Sequence, residues 1–221
     1  MRPGLFISFE GPDGSGKSVI INKVYEWLVN KVNNTDFQYT SVIKTREPGG
    51  LNSPLAEKIR NLVLNETELA IPAQTEALLF AASRSAHVIQ TIQPNLNNNA
   101  IVLSDRYVDS SIVYQGYVRQ LGVDNIWKIN EFAMNNILPD LTILLMVDAE
   151  IGLKRIAENN RETNRLDKEG LEFHKQVQKY YQEIKDNDKN NRIVIVDANQ
   201  SIEEVFSDVK NIIEKLIYAR N

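Results

Sequence analysis

Two hydrophobic patterns alternate along the chain. Five short, nearly continuous apolar runs, rich in β-branched and aromatic residues, are typical of buried strands in a parallel sheet. These predicted strands span residues 5–10, 40–45, 100–104, 141–147 and 192–196. Between them, apolar residues recur every three or four positions, as in helices that bury one face. Strands that alternate with helices predict an α/β layered fold with a parallel sheet.

The helical pattern covers seven segments. We predict helices at residues 17–32, 54–64, 72–92, 124–138, 151–157 and 171–184, and a last one from Ser201 to about residue 217. Pro94 is expected to stop the helix that begins at Pro72, because proline disrupts a helix interior. Ser201 and Glu204 match a capping box. No linker interrupts residues 1–221, so we predict a single domain.

Composition narrows the classes of protein that fit. The chain has 25 Lys and Arg against 29 Asp and Glu, a formal net charge of −4, and no cysteine. An acidic balance disfavours general nucleic-acid binding, which requires a basic face, and the lack of cysteine excludes disulfides. The longest nearly apolar run, residues 141–147, is far shorter than the ~20 residues of a membrane span. We expect a cytoplasmic protein that binds neither nucleic acid nor membranes.

The strongest chemical signal lies directly after the first predicted strand. Residues 11–18 match the phosphate-loop pattern G-x-x-x-x-G-K-[ST], with the required strand before and helix after it. Its members are Gly11, Pro12, Asp13, Gly14, Ser15, Gly16, Lys17 and Ser18. The glycines allow backbone N–H groups to surround a polyphosphate, Lys17 reaches the β- and γ-phosphates, and the Ser18 hydroxyl can ligate Mg²⁺. The pattern predicts binding of a nucleoside triphosphate but leaves the reaction open.

Charged residues follow two other predicted strands. Asp105 and Arg106 come after the third strand, and Arg46 comes after the second. A carboxylate beside the phosphate loop is placed to hold Mg²⁺, and an arginine fork suits a phosphate. In α/β folds, ligands bind at the carboxyl ends of the strands. Taken alone, Asp105 also fits a strand-end cap, and the Pro-Gly sequence after Arg46 fits an ordinary turn.

Two further segments carry candidate side chains. Phe80 and Arg84 are four residues apart in a predicted helix, so they share a face that could stack on a planar base and bond its edge. A core Phe beside a surface Arg is the commoner arrangement. Arg161 and Arg165 lie in a polar segment between two helices. A mobile lid that brings cations to a phosphoryl group would have this composition, and so would a solvated loop.

In combination, these segments closely resemble the thymidylate kinases, over essentially the whole chain. The resemblance rests on residues 9–18 (FEGPDGSGKS), 45–50 (TREPGG), 80–84 (FAASR), 105–107 (DRY), 114–116 (YQG) and 164–167 (NRLD). It implies the P-loop nucleoside-monophosphate-kinase fold, with a five-stranded parallel sheet, helices on both faces and a lid at about residues 158–170. It also implies transfer of the γ-phosphoryl group of MgATP to dTMP in dTTP synthesis, and a homodimer.

The resemblance assigns the ATP, metal and catalytic roles. Residues 11–18 would cradle the ATP phosphates, Arg155 would lie on the adenine, and Mg²⁺ would be held by Ser18 and Asp105. The catalytic residues would be Lys17, Arg106, Arg161, Arg165 and Asp13. The phosphate loop contains no arginine, so the chain resembles the branch of the family whose catalytic arginines lie in the lid. Many relatives have Glu at the position of Asp13.

The resemblance also assigns a binding site for dTMP. Its members would be Arg46, Arg60, Phe80, Arg84, Arg106, Ser111, Tyr114 and Gln115. The arginines Arg46 and Arg106 would hold the phosphate of dTMP. Phe80 would stack on thymine, and Arg84 would bond its O4 edge. Tyr114 would crowd a ribose 2′-hydroxyl, which favours a deoxyribose.

Three alternative functions remain open. The nearest is a kinase for another pyrimidine nucleotide or a deoxynucleoside, although a deoxynucleoside kinase typically has Glu-Arg-Ser where this chain has residues 105–107. A GTP-binding switch protein would carry an N-K-x-D guanine motif, which the sequence lacks. A non-catalytic nucleotide-binding module is the third. Neither His87 nor His174 is given a catalytic role, and His87 is expected to be a helix-packing residue.

Overall fold

The five predicted strands form one parallel sheet. The computed structural model describes residues 3–34, 37–50, 52–65, 70–158 and 171–220. Its strands are β1 (Leu5–Glu10), β2 (Val42–Arg46), β3 (Ile101–Asp105), β4 (Leu141–Met146) and β5 (Ile193–Asp197). Their order is β2-β3-β1-β4-β5, and every neighbouring pair is parallel. The predicted sheet is confirmed, with strand ends displaced by at most two residues.

The register of the strands brings their functional ends together. Phe9 in β1 pairs with Asp105 in β3, and Asp105 pairs in turn with Arg46 in β2. On the other side of β1, Glu10 pairs with Leu144. The carboxyl ends of β2, β3 and β1 therefore form one continuous edge, at which the phosphate loop begins.

Helices lie on both faces of the sheet. They are α1 (Lys17–Asn33), α2 (Pro54–Asn65), α3 (Ala73–His87), α4 (Gln93–Asn97), α5 (Val108–Ser111), α6 (Val123–Ala133), α7 (Ala149–Glu158), α8 (Leu171–Asp186) and α9 (Ile202–Ala219). One π-helical segment, Val88–Ile92, joins α3 to α4, and another, Ile112–Val118, continues α5. Within the described ranges, none of these helices has the length and hydropathy needed to cross a membrane.

The core lies in two layers, one on each side of β1. Leu5, Ile7 and Phe9 face a cluster shared with α1 and α9. Phe6 faces the opposite cluster, to which α3, α4 and α6 contribute. Successive strand residues point to opposite faces of a sheet, and all six residues of β1 are buried. Burial on both faces is what a central parallel strand requires, and it confirms the prediction of a parallel sheet with helices on both faces.

Two predicted helix ends were wrong. The helix that includes Phe80 does not stop at Pro94 but continues through the π-helical segment to Asn97. Pro94 falls in the first turn of α4, where a missing backbone N–H is tolerated. The helix predicted at 124–138 ends at Ala133. Asn135 and Asn136 have φ angles of 49° and 58°, which take the backbone out of the helical region.

One helical region was not predicted at all. Residues 108–118 are helical, first as α5 and then as the π-helical segment. Residues 108–116 are all buried, so the segment has no exposed polar face. Helix prediction from periodicity depends on the contrast between a buried and an exposed face. The segment matters because it carries Ser110, Ser111, Tyr114 and Gln115.

Candidate active site

A cleft of about 770 Å³ opens at the carboxyl ends of β1, β2 and β3. The predicted site residues that line it are Asp13, Gly14, Gly16, Lys17, Ser18, Arg46, Arg60, Phe80, Arg84, Asp105, Arg106, Ser111, Tyr114, Gln115 and Arg155. The structure thus brings together residues that are spread over more than half of the chain. Gly11, Pro12 and Ser15 belong to the loop but do not line the cleft. Arg161 and Arg165 lie outside the described residues, as does the predicted lid beyond Glu158.

The phosphate loop packs tightly against α7. Gly14 has a φ angle of 79°, a conformation that side chains disfavour, and a Cβ there would lie 2.2 Å from the carbonyl oxygen of Gly152. At the other end of the loop, Val19 and Ile20 donate backbone hydrogen bonds to the Gly16 carbonyl, which starts α1. The N-terminus of α1 therefore faces the loop, and its dipole favours negative charge there.

The Lys17 ammonium group lies against the loop to which it belongs. Its Nζ donates hydrogen bonds to the carbonyl oxygens of Gly11 and Pro12, at 3.0 and 2.9 Å. Burial lowers the pKa of Lys17 to about 8, and the charge of Arg106 contributes to the decrease. Contact of Lys17 with the β- and γ-phosphates remains a prediction.

The two predicted metal ligands are adjacent. Ser18 Oγ donates a hydrogen bond of 3.0 Å to Asp105 Oδ2. A hydroxyl and a carboxylate are the oxygen donors that Mg²⁺ prefers, together with water and substrate phosphates. Among the described residues, no cluster of three or more His, Cys, Asp or Glu could hold a metal ion. The pair therefore fits a Mg²⁺ that is bound mainly through nucleotide phosphates and water.

Arg106 lines the cleft and has an unusual backbone conformation. Its φ angle is 70°, in the left-handed region that non-glycine residues seldom occupy. Nη2 donates a hydrogen bond of 2.6 Å to Asp13 Oδ1, and Nη1 donates to Ser110 Oγ and Tyr181 OH, both at 3.0 Å. Strained backbone of this kind persists where the surroundings hold it, and it is frequent at functional sites.

Arg46 and Arg60 form a second group of cations in the cleft. Arg46 Nη2 donates to Glu57 Oε2 at 2.9 Å, and Arg60 Nη1 donates to the Pro48 carbonyl at 2.8 Å. The other oxygen of Glu57 accepts a hydrogen bond from the Gly50 backbone. Burial and the charge of Arg46 lower the pKa of Arg60. Both arginines line the same cleft as the phosphate loop, and Glu57 is the carboxylate partner of Arg46.

Arg84 is a buried side chain, and only 4% of its surface is exposed. Its Nε donates to Glu47 Oε2 at 2.7 Å, Nη1 donates to Asn130 Oδ1, and Nη2 donates to Ser111 Oγ at 3.1 Å. The arrangement of a core Phe beside a surface Arg is therefore excluded for this pair. Phe80 is also buried, and both residues line the cleft.

Tyr114 and Gln115 lie on the π-helical segment that the sequence did not reveal. Tyr114 donates a hydrogen bond of 3.2 Å to Asp13 Oδ2, and burial raises its pKa. Gln115 Nε2 donates to Glu76 Oε1 at 3.0 Å. Arg155, which also lines the cleft, is anchored by a 2.8 Å hydrogen bond from Nη1 to the Ala198 carbonyl.

Sequence reasoning missed the buried carboxylate Glu10. It is the last residue of β1, with no exposed surface, and its Oε1 accepts a 2.7 Å hydrogen bond from the Tyr107 backbone. Burial raises the pKa of Glu10 to about 7, and the charge of Asp109 contributes. A carboxylate that ends an otherwise apolar strand, directly before a phosphate loop, was the available signal.

Glu47 was missed as well, and it explains the position of His87. Its second oxygen, Oε1, lies 3.0 Å from His87 Nδ1, while His87 Nε2 lies 2.7 Å from Thr45 Oγ1. His87 is completely buried. It therefore packs between α3 and the end of β2, in line with the expectation of a packing residue.

Comparison with known proteins is consistent with this geometry. Residues 9–209 match the family model described as thymidylate kinase. A thymidylate kinase of Finegoldia magna is 51% identical over 211 residues, which are 96% of this chain and 98% of that protein. A thymidylate kinase of Clostridium novyi is 44% identical over 215 residues, which are 97% of this chain and 100% of that one.

A solved structure is similar in fold. It is a thymidylate kinase from Ehrlichia chaffeensis, which superposes with a TM-score of 0.72 at 28% sequence identity, over 95% of this chain and 98% of that one. The resemblance inferred from short motifs is therefore confirmed over nearly the whole chain. The chain belongs to the thymidylate kinase family and is, with that family, a nucleoside-monophosphate kinase.

Proposed function

We propose that the cleft transfers the γ-phosphoryl group of ATP to dTMP and releases dTDP and ADP, a step toward dTTP. The observation that carries this proposal is the position of two phosphate-binding groups in one cleft. The phosphate loop lies on one side, and Arg46 and Arg106 extend from the ends of β2 and β3. An acceptor that already carries a phosphate matches this second set of cations. We also propose that the enzyme is cytoplasmic, which fits the use of ATP as the phosphoryl donor.

The reaction requires positioning and charge neutralisation more than acid–base chemistry. An oxygen of the dTMP phosphate attacks the γ-phosphorus in line, and the bond from that phosphorus to the β–γ bridging oxygen breaks. The bridging oxygen leaves with ADP. Lys17 and Arg106 neutralise the negative charge that spreads over the transferred group, and Asp13 orients Arg106 through their 2.6 Å hydrogen bond. No general base is needed, because the attacking phosphate is already an anion.

The Ser18 and Asp105 oxygens are the groups that would hold Mg²⁺. When bound there with ATP, Mg²⁺ would neutralise charge on the β- and γ-phosphates. The hydrogen bond of 3.0 Å between Ser18 and Asp105 keeps the two oxygens near each other at the mouth of the phosphate loop. Arg155 would contact the adenine from the α7 side of the cleft.

The other lining residues form the acceptor pocket. Phe80 offers an aromatic face for stacking on thymine, with Arg84 at its O4 edge and Arg60 as a further contact. Ser111, Tyr114 and Gln115 complete the wall around the base and the sugar. The internal hydrogen bonds of Arg84 to Glu47, Asn130 and Ser111 hold its guanidinium in a single orientation. Such preorganisation lowers the entropic cost of binding a planar ligand at this edge.

Arg161 and Arg165 complete the proposed catalytic set. They belong to the segment of about 158–170 that the sequence indicates as a lid. The support for this role is that both residues are arginines, whose N–H donors stabilise the spread charge of a transferring phosphoryl group.

The test is an assay of ADP release from MgATP with dTMP, dUMP, dCMP, dGMP and thymidine as separate acceptors. We expect dTMP to be the fastest acceptor. Arg46→Ala and Arg106→Ala should each lower kcat/KM for dTMP by about 10²-fold, since they remove charge-assisted bonds to phosphate. Lys58→Ala is the matched control, because Lys58 is an exposed cation on α2. Preference for thymidine would favour the deoxynucleoside alternative, and no turnover with any acceptor would favour a binding or switch protein.

We also propose that the enzyme is a homodimer. Five large apolar side chains are exposed on the helices α2, α3 and α6 and the segment Val88–Ile92: Leu55, Leu62, Leu78, Ile89 and Phe132. These helices are neighbours, since α3 packs against both α2 and α6. Phe132 is 89% exposed. Exposed apolar patches of this kind mark interaction surfaces.

Sedimentation velocity tests the dimer. Phe132→Asp and Leu78→Asp should shift the protein from a dimer to a monomer without unfolding it. Tyr218→Asp is the matched control, because Tyr218 is 68% exposed on α9, away from this surface. A wild-type monomer at micromolar concentration would contradict the proposal.

A further inference from the structure

Two hydroxyl groups accept hydrogen bonds from the Arg106 guanidinium and hold it in place. Nη1 of Arg106 donates to Ser110 Oγ and to Tyr181 OH, at 3.0 Å each. Ser110 follows four residues after Arg106, whereas Tyr181 comes from α8, 75 residues away in the chain. Tyr181 has no exposed surface, and burial raises its pKa, so its hydroxyl remains protonated.

The same two hydroxyls converge on Glu10. Ser110 Oγ donates to Glu10 Oε2 at 2.6 Å, and Tyr181 OH donates to the same oxygen at 3.0 Å. Above the pKa of Glu10, its carboxylate can only accept hydrogen bonds, so both hydroxyls donate to it even though their oxygens also lie 2.9 Å from each other. The oxygen lone pairs of Ser110 and Tyr181 are then left to accept from Arg106. The negative charge of Glu10 polarises both hydroxyls and strengthens their hold on the guanidinium.

Further contacts keep Glu10 itself in place. Its Oε1 accepts hydrogen bonds from the backbone N–H groups of Tyr107 and Ser110, at 2.7 and 3.4 Å. The Arg106 backbone is held in its left-handed conformation by a 2.9 Å hydrogen bond from its N–H to the Phe9 carbonyl. Both the backbone and the guanidinium of Arg106 are therefore supported from β1, the strand that leads into the phosphate loop.

We propose that Glu10 and Tyr181 are positioning residues, which act through Arg106 to aim its guanidinium at the phosphate of dTMP. This inference rests on the proposed role of Arg106. Through Tyr181, the helix α8, which follows residues 159–170, supports the arginine that is proposed to bind the acceptor phosphate. Neither residue touches substrate, since neither lines the cleft.

Equilibrium binding of dTMP and of thymidine tests this proposal at pH 8, above the Glu10 pKa of about 7. Thymidine lacks the phosphate, so it reports on the base pocket and the fold alone. Tyr181→Phe keeps the buried ring and removes only the hydroxyl. We expect it to weaken dTMP binding by about fivefold, the effect of one ordinary hydrogen bond, and to leave thymidine binding unchanged.

A double-mutant cycle shows whether Tyr181 acts through Arg106. In the R106A background, Tyr181→Phe should change dTMP binding by less than about 1.5-fold, because the residue it positions is gone. Glu10→Gln should give the same pattern as Tyr181→Phe. The matched control is Tyr180→Phe, which removes a hydroxyl from the adjacent position of α8 while retaining the stacking on Tyr117.

The other possible outcomes would contradict either the positioning role of Tyr181 or the phosphate role of Arg106. An equal loss of dTMP and thymidine binding in Tyr181→Phe, or the same loss in both backgrounds, would mean that Tyr181 serves only the fold. No loss at all would refute the positioning role while the proposed function stands. If R106A itself weakened dTMP and thymidine equally, the phosphate role of Arg106 would fail, and this inference would fail with it.

Discussion

Gly14 in the phosphate loop and Gly152 in α7 are in direct backbone contact. A Cβ at Gly14 would lie 2.2 Å from the Gly152 carbonyl oxygen, and a Cβ at Gly152 would lie 2.8 Å from the Asp13 carbonyl oxygen. Two segments separated by more than 130 residues therefore fit together only because neither has a side chain there. The same helix carries Arg155, so α7 sets the position of the loop and one wall of the cleft at once.

Gly152→Ala is expected to lower kcat/KM for ATP at least tenfold, because the added methyl group displaces the loop backbone at Asp13, and small displacements of positioning groups have large kinetic effects. Steady-state kinetics with varied ATP measures this. Gly116→Ala is the matched control, since a Cβ there would meet nothing closer than 3.4 Å. Equal kinetics for the two variants would contradict the predicted kinetic effect of this contact.

The pH dependence should report the ionisation of Lys17. Its pKa is lowered to about 8 by burial and by Arg106, so above pH 8 the free enzyme loses the ammonium charge that the ATP phosphates require. We expect kcat/KM for ATP to fall about tenfold per pH unit above this value, while kcat persists to higher pH because bound phosphates stabilise the charged form. Lys17→Arg should have lower activity without this alkaline decrease. A wild-type profile that is flat to pH 9.5 would rule out the assignment.

Arg165→Ala should lower kcat by about 10³-fold and change KM for dTMP much less, because an arginine that acts on the transferring group contributes mainly in the transition state. Kinetics with saturating ATP and varied dTMP separates the two parameters. Lys175→Ala, at a half-exposed cation of α8, should leave both unchanged. An unchanged kcat in Arg165→Ala would remove this residue from the mechanism.

Stability should depend on the buried carboxylate Glu47. Glu47→Ala leaves the guanidinium of Arg84 buried without its charged partner and removes the contact of His87. Loss of one member of a buried pair typically costs about 3 kcal/mol. Urea unfolding measures the change in the free energy of unfolding. Lys23→Ala, which breaks an exposed pair with Glu203, should change it by less than about 1 kcal/mol; similar values for both variants would contradict the prediction.

Local features of the sequence determined the layered fold and most of the cleft. The periods of apolar residues indicate which segments are strands and which are helices, because burial of one or both faces imposes those periods. The phosphate loop can be recognised from the sequence because its eight residues act through local backbone geometry. Arg46 and Asp105 were predictable because parallel strands share an edge, and their register does place them side by side.

Tertiary structure alone decided which side chains support that cleft. The contact of Glu10 with Tyr181 spans 171 residues, and that of Arg84 with Asn130 spans 46. No periodicity encodes such pairs, because a buried polar group takes whichever partner the packing of distant elements brings within hydrogen-bond distance. The helical region at 108–118 was not predicted, for a related reason. Because it is buried on every side, it lacks the periodic pattern of apolar and polar residues that indicates a helix. Local sequence patterns thus determined most of the elements and the reactive groups, whereas long-range packing determined the orientation of those groups.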